Sequence, residues 1–507
     1  MGLVVLHLHL HGLFRGHDLP LGHDGDTGGQ SAYVLDLARS LAADPQLERV
    51  EVVTRLIHDP RVGADYARPI EELAPGLAIR RLAFGPPGYL PKEELWPHLD
   101  ELVECLSDQL RAAPRLPDWI HAHYADAGHV GAQLRRRLGI PLVFTAHSLG
   151  REKRRRLIAA GQDAAVLERR YALERRIAAE ELALAHSALV VTGTRQELEN
   201  QYARYANFRP HRARVIPPGV DRQLFHPPAP GGGEPALQTL LAPWLQRPSL
   251  PPLLAISRPD PRKNIPALVE AFARSPVLRR RHNLVLVLGS GASAGAGAAA
   301  PPSPASLQGQ VLELVRQHRL EGSLACPPCL RRHRIPALYR WAARLQGVFV
   351  NPALTEPFGL TLLEAAASGL PLVATGDGGP REILERCGNG LLVDVAVPGA
   401  LGRALEEALA QPLRWRRWSA QGVAAVRRHY SWEAHRQRYL AAVGSVLAPP
   451  AAAAGLRGRL AVAAGVVGVG GGHPVAEVVG PVLPSRQPLG AEFGVGHAGH
   501  QLGDLQR

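Results

Sequence analysis

Cysteine is scarce in this chain of 507 residues. Four are present, Cys105, Cys326, Cys329 and Cys387, too few and too scattered for the disulfide framework of a small secreted domain. Apolar runs are short: none reaches the ~20 residues of a membrane-spanning helix, and residues 1–12 carry neither the basic start nor the cleavage site of a secretory leader. Both absences imply a reducing, cytoplasmic setting without membrane contact. Lysine is rarest among the charged residues. Of 58 basic side chains only Lys92, Lys153 and Lys263 are lysine, the rest being arginine, and methionine occurs once. A bias that turns lysine into arginine wherever either serves singles out the survivors. A compact, rotatable ammonium fits a tight phosphate pocket where a planar fork does not. The net charge of +13 raises nucleic acid as a partner, but the basic runs 151–156 and 331–334 lack interleaved aromatics, which argues against it.

What the chain does have is the composition of an ordinary globular protein, 46% hydrophobic and 20% charged, and enough length for two large domains with an appendage. Apolar β-rich runs at 3–10, 50–56, 119–121, 142–145, 189–192 and 215–216 alternate with helical periodicity such as 32–42. This is the rhythm of a parallel sheet with crossover helices. Pro217-Pro218-Gly219 and the Pro/Gly stretch 227–235 interrupt it. A second series follows, with strands at 253–256, 284–288, 347–350 and 372–375 and helices at 265–273, 307–317 and 360–368. The reading is an α/β chain of two doubly wound domains, ligands binding in the cleft at the carboxyl ends of their strands. The Gly/Ala/Ser/Pro-rich stretch 289–306 reads as a loop, and 451–507, with 13 glycines, as a disordered tail.

Three blocks carry chemistry. Asp26-Thr27-Gly28-Gly29-Gln30 is a double-glycine turn between the first strand and a helix near Ala32, where backbone amides approach an anion or sugar closely. Thr355-Glu356-Pro357-Phe358-Gly359-Leu360-Thr361-Leu362-Leu363-Glu364 follows a strand and opens a helix, leaving the amides of Gly359 to Thr361 at its positive end for a diphosphate. Glu356 and Glu364 then stand ready for hydroxyls at the two ends of a nucleotide sugar. Ser257-Arg258-Pro259-Asp260-Pro261-Arg262-Lys263-Asn264, again between strand and helix, supplies Arg258 and Lys263 as counter-charge for a leaving diphosphate.

With these blocks stand His11-Gly12-Leu13, Pro91-Lys92-Glu93-Glu94-Leu95-Trp96, His123-Tyr124-Ala125-Asp126-Ala127-Gly128, His147-Ser148-Leu149-Gly150, Thr194-Arg195-Gln196-Glu197, Pro217-Pro218-Gly219-Val220-Asp221 and Asn351 onward to Glu364. In this order they resemble the sucrose-phosphate synthases, retaining nucleotide-sugar glycosyltransferases of the GT-B fold, in which two Rossmann-like domains face one another across a cleft. The resemblance implies transfer of glucose from UDP-glucose to fructose 6-phosphate, giving sucrose 6-phosphate and UDP. It implies His147, Arg258, Lys263 and Glu356 as catalytic residues. Gly12, Arg258, Lys263, Glu356, Phe358, Gly359, Leu360, Thr361 and Glu364 would bind the donor, and Gly29, Gln30, Lys92, Lys153, Arg175 and Arg176 the acceptor. No protein nucleophile is needed if the departing phosphate oxygen accepts the acceptor's proton. The implied domains are an N-terminal acceptor domain 1–216, a linker 217–250, a nucleotide-sugar domain 251–428, a C-terminal helix 429–450 packing back toward the first domain, and the tail 451–507. No obligatory cofactor is implied, stimulation by magnesium is left open, and a separate sucrose-phosphate phosphatase is the partner such a product suggests.

Other readings compete. His7, His9 and His11 share one strand face like the His-x-His ligands of metal hydrolases, but no matching downstream set accompanies them, so no metal site is expected. Cys326-Pro327-Pro328-Cys329 lacks the second pair of a zinc site and reads as incidental. Sucrose synthase, acting on free fructose, would not require three clustered phosphate-binding cations. An inactive relative with a binding role is suggested by the altered stretch 289–332, and the intact Glu356, Glu364, Arg258, Lys263 and His147 argue against it.

Overall fold

The computed structural model describes residues 2–20, 24–289, 306–327, 330 and 332–447, all within one compact unit. The stretch 290–305, the tail 451–507 and Cys329 lie outside the described residues. Cys326 is buried, which pushes its thiol up to about 12.

The first sheet has eight strands, β1 (Leu3–Leu8), β2 (Leu47–Arg55), β3 (Ile70–Ala74), β4 (Leu77–Leu82), β5 (Trp119–His123), β6 (Leu142–Thr145), β7 (Ser187–Thr192) and β8 (Ala213–Val215). Their order is β3-β4-β2-β1-β5-β6-β7-β8. All pairs are parallel except β3 with β4. Because strand side chains alternate, each strand feeds two cores. Val5, Val50, Val52, Trp119, Val143, Leu189 and Val191 meet the helix Gly29–Ala42 and the last described helix, Trp432–Leu447. Leu6, Leu8, Ile120, Ala122, Leu142, Phe144 and Val190 meet the helices Leu99–Ala112, Ala125–Leu138 and Leu173–His186.

The second sheet is wholly parallel: β9 (Pro252–Ser257), β10 (Asn283–Leu288), β11 (Leu324–Ala325), β12 (Val348–Asn351), β13 (Leu372–Thr375) and β14 (Gly390–Val393), in the order β11-β10-β9-β12-β13-β14. Two Rossmann-like sheets are thus present.

The structure departs from the sequence reading in four places. The first helix begins at Gly29, with Gly28 as its cap, because the double glycine enters the helix instead of preceding it. The strand expected at 215–216 is Ala213–Val215. An antiparallel hairpin, β3 with β4, edges the first sheet, its alternation hidden by the exposed, charged Ile70–Ala74. The stretch 217–250 is more than a connector. It holds a helix, Pro235–Leu241, with proline in its first turn, and buries Val220, Leu237, Leu241 and Leu245 in the second core. None of the described helices is long and apolar enough to cross a membrane.

Candidate active site

Each sheet reverses its winding once, between β1 and β5 and between β9 and β12. Loops leaving those neighbouring strands diverge to opposite faces and open a crevice at the carboxyl ends. The singled-out segments fill these crevices: 9–12 after β1, 124–126 after β5 and 146–150 after β6 in one domain, 258–264 after β9 and 352–359 after β12 in the other.

In the second domain Lys263 Nζ donates to Glu356 Oε2 at 2.6 Å, and Asn351 Nδ2 donates to the same oxygen at 3.0 Å. Arg258 is exposed at the start of its loop. The Leu354 amide donates to the Arg262 carbonyl at 2.9 Å and ties the two loops together. Gly359, with φ +98°, caps the helix Leu360–Ala367. The amides of Gly359, Leu360 and Thr361 have no protein acceptor among the described residues, leaving donors at the helix's positive end. One turn in, Glu364 accepts from the Tyr339 hydroxyl at 3.1 Å. The Glu356 backbone is clamped by Gly378, whose φ of +101° suits glycine and where a Cβ would strike the Glu356 carbonyl oxygen. The Gly379 amide donates to that oxygen at 3.0 Å. Sequence reasoning gave Asn351, the first residue of its matched block, no role of its own, and missed Tyr339 and Gly378. The signal for the last was present, since Gly378-Gly379 opens a helix after a strand as Gly28-Gly29 does.

In the first domain Gly12 (φ +79°) and the Thr27 hydroxyl, which accepts from the Leu13 amide at 2.8 Å, shape the loop after β1. A side chain at Gly28 or Gly29 would meet only open space. Asp26 accepts from the Lys92 ammonium, from the Lys92 amide at 2.9 Å and from the Tyr89 hydroxyl at 3.3 Å. Burial pushes the Asp26 carboxyl up, but Lys92 outweighs it and leaves a net lowering. The Lys153 ammonium lies 3.5 Å from the centre of the Tyr171 ring. Burial, followed by repulsion from Arg176 and Lys92, lowers it to about 8. Lys92, Lys153 and Arg176 therefore converge on one region.

Three of the acceptor candidates are placed differently from one another. Arg175 and Arg176 face different ways, because adjacent helical positions point about 100° apart. Arg176 is buried, donating to Glu180 Oε1 at 2.9 Å and to the Ser148 carbonyl at 2.6 Å, with its guanidinium over Tyr124, whereas Arg175 is exposed. Gln30 turns inward, its amide nitrogen donating to His9 Nδ1 at 3.1 Å and to the His123 carbonyl at 3.4 Å.

His147 sits where β6 ends, with φ +56° and a hydrogen bond of 2.6 Å from the Ser148 amide to the Ala146 carbonyl across it. Such strain in a non-glycine residue is concentrated at functional sites. Burial, then the charge of His11, pushes its imidazole down to about 3, so it is neutral at working pH. Behind it the grouping differs from the His7, His9, His11 face considered above. His7, His121 and His123 come together, with ring nitrogens within 4.8 Å of one another. Hydrogen bonds between His7 and His123, and to His147, Thr145 and Tyr439, already occupy most of these nitrogens.

The two domains touch beside this site. Glu382 accepts from the amides of Arg195 at 2.6 Å and Gln196 at 3.4 Å, Gln196 Nε2 donates to Asp377 Oδ1 at 3.3 Å, and Phe358 lies against Gly193.

Residues 27–224 match the family described as Glycosyltransferase Family 4, and residues 245–424 match Glycosyl transferases group 1. Sucrose-phosphate synthase of Zea mays is 38% identical over 87% of this chain and 47% of its own length. Probable sucrose-phosphate synthase 5 of Oryza sativa subsp. japonica is 37% identical over 89% of this chain and 52% of its own. The solved sucrose-phosphate synthase of Thermosynechococcus elongatus superposes with a TM-score of 0.65 at 27% identity, covering 91% of this chain and all of that one. The chain is a GT-B homologue of the sucrose-phosphate synthases. It spans about half the length of the plant relatives it matches. The GT-B architecture recurs in Anabaena HepE, solved with UDP, at a TM-score of 0.59 and 18% identity. In this GT-B frame the donor candidates other than Gly12 lie in the second domain, and the acceptor candidates lie with Gly12 in the first.

Proposed function

We propose that this sucrose-phosphate synthase homologue transfers glucose from UDP-glucose to fructose 6-phosphate with retention, releasing UDP and sucrose 6-phosphate. The observation that carries this reading is the convergence of Lys92 and Arg176 on Lys153, whose ammonium is brought to about 8 by burial first and by their repulsion second. Lys92 is paired with Asp26 and Arg176 with Glu180, yet both still repel the Lys153 ammonium, and a phosphate dianion relieves that repulsion. A neutral sugar offers no such relief, so the pocket favours a phosphorylated acceptor over free fructose. A second copy of the same logic serves the donor. Arg258, Lys263 and the free amides of Gly359 to Thr361 take the diphosphate, Glu364 the ribose hydroxyls, and Glu356 the glucose hydroxyls. On loading, Lys263 transfers its contact from Glu356 to phosphate and releases that carboxylate for the sugar. Placing acceptor and donor on facing domains lets the acceptor oxygen approach on the side from which UDP leaves, and the leaving phosphate oxygen takes its proton.

The deciding experiment is UDP release from UDP-glucose, with fructose 6-phosphate in one reaction and fructose in another. Release with the phosphorylated sugar alone is expected. Equal release with fructose would overturn the acceptor assignment, and release with neither would overturn the transferase reading.

A further inference from the structure

The first domain buries a set of imidazoles, and for most of them a neighbour of fixed role decides which ring nitrogen carries the proton. Trp119 Nε1, which only donates, gives its proton to the Tyr439 hydroxyl at 2.9 Å. That hydroxyl's own proton then goes to His121 Nδ1 at 3.0 Å, so His121 is protonated at Nε2, which donates to Thr145 Oγ1 at 3.0 Å. The Gln30 amide donates to His9 Nδ1, which sets the His9 proton on Nε2 toward Ser31 Oγ at 3.1 Å. His11 donates through Nδ1 to Asp126 at 2.7 Å, and His435 donates through Nδ1 to the Pro217 carbonyl at 2.8 Å.

One row has no such arbiter among the described residues. His7 Nδ1 lies 3.0 Å from His123 Nε2, and His123 Nδ1 lies 3.0 Å from His147 Nε2. Each neutral ring carries one proton, so the row has two states of opposite sense. If the rings donate through Nε2, the row ends on an N–H of His7 that is buried without an acceptor, because His7 Nε2 has no partner. If they donate through Nδ1, the same atom is only an idle lone pair, and the row ends on an N–H at His147 Nδ1. That nitrogen has no bond to protein among the described residues, and His147 is only half-buried. A buried N–H without an acceptor is the rarer defect.

We propose that His7 and His123 are positioning residues that lock His147 in its Nδ1–H tautomer, so that it presents a neutral donor to an oxygen of the transferred sugar. The assignment rests on the reading of the cleft as a sugar-transfer site. Burial holds His7 and His147 near 3 and His123 well below its usual range, so the row stays uncharged at working pH and its sense is a matter of tautomers alone.

Long-range ¹H–¹⁵N correlation spectra of ¹⁵N-histidine-labelled protein, assigned through single variants, read the tautomer directly. We expect a protonated Nδ1 and an unprotonated Nε2 at His147. The reverse pattern, or an averaged one, overturns the proposal. His7→Asp sets an acceptor in place of the Nδ1–H, so that His123 donates through Nε2 and accepts through Nδ1. His147 then shifts toward Nε2–H and kcat at saturating substrates falls about tenfold, the worth of one hydrogen bond, with both KM values unchanged. His7→Leu leaves His123 Nε2 an idle lone pair at the buried end and keeps the wild-type tautomer. The proposal fails if folded His7→Asp leaves the His147 tautomer untouched, or if folded His7→Leu reverses it. It also fails if protein prepared without chelator holds a stoichiometric transition metal that His7→Leu loses. Because the spectrum needs no turnover, a locked tautomer in a protein that transfers nothing would refute the transferase reading and leave the lock standing.

Discussion

Lys153→Met separates a binding role from a structural one, because the two roles predict opposite signs. The ammonium lies over Tyr171 with Arg176 and Lys92 as charged neighbours, and burial with their repulsion brings it to about 8. In the unfolded chain the same group titrates near 10.4. Between these values the unfolded state holds more protons, so stability rises with pH there, and at neutral pH the charged lysine costs the ligand-free fold free energy. Lys153 is half-exposed, and solvent screening reduces that cost to about 1 kcal/mol or less. Methionine, similar in reach and uncharged, therefore raises the melting temperature slightly. The same change removes a charge-assisted hydrogen bond to phosphate, worth about 1.5–3 kcal/mol, and raises the KM for fructose 6-phosphate about 10- to 100-fold. Initial rates of UDP release at saturating UDP-glucose measure it. Above pH 8 the wild-type KM for the acceptor should climb as the ammonium is lost, and the Met variant should show no such limb. A melting temperature that falls, or a KM for UDP-glucose that rises in parallel, would refute the reasoning.

Other perturbations address the donor side and the domain contact. Glu356→Gln leaves Lys263 without its carboxylate and should lower kcat by about 100-fold with the fructose 6-phosphate KM within about twofold; a change confined to the acceptor KM would contradict the assignment. Gly378→Ala combines a φ of +101° with collision against the Glu356 carbonyl and should cost about 2–4 kcal/mol in denaturant melts. A wild-type melt would show that the clamp is not tight. Glu382→Ala removes the carboxylate that receives the Arg195 and Gln196 amides across the domain contact. Small-angle scattering of the ligand-free protein should report a larger radius of gyration, and an unchanged one would count against the contact as a latch.

The alternation of strand and helix was legible because the strands are short apolar runs and the helices carry a 3.6-residue period. The donor crevice was legible too, since proline and glycine at fixed offsets specify a turn whatever surrounds it. Side-chain direction across a distance was not. Nothing local distinguishes Arg175 from Arg176, yet one meets Glu180 on the next turn of the same helix and the other meets solvent. Gln30 reads as a ligand residue beside Gly29 until β1 and β5 pair and bring His9 and the His123 carbonyl within its reach. His121 and His123 sit 114 and more residues from His7, and only the parallel register of β1 with β5, which sets His7 opposite His121, makes them one cluster.

The helix Trp432–Leu447 closes the core of a sheet whose strands were all completed by Val215. During synthesis at about 5–20 residues per second, the ribosome therefore releases every strand of the first domain well before the helix that covers one of its faces. In that interval the Trp119 indole and the His121 ring lack the Tyr439 hydroxyl that later joins them, and Val5, Val34 and Val52 lack Leu440 and Val443. The first domain can reach its final state only after the second has been made, so the order of folding runs against the order of translation.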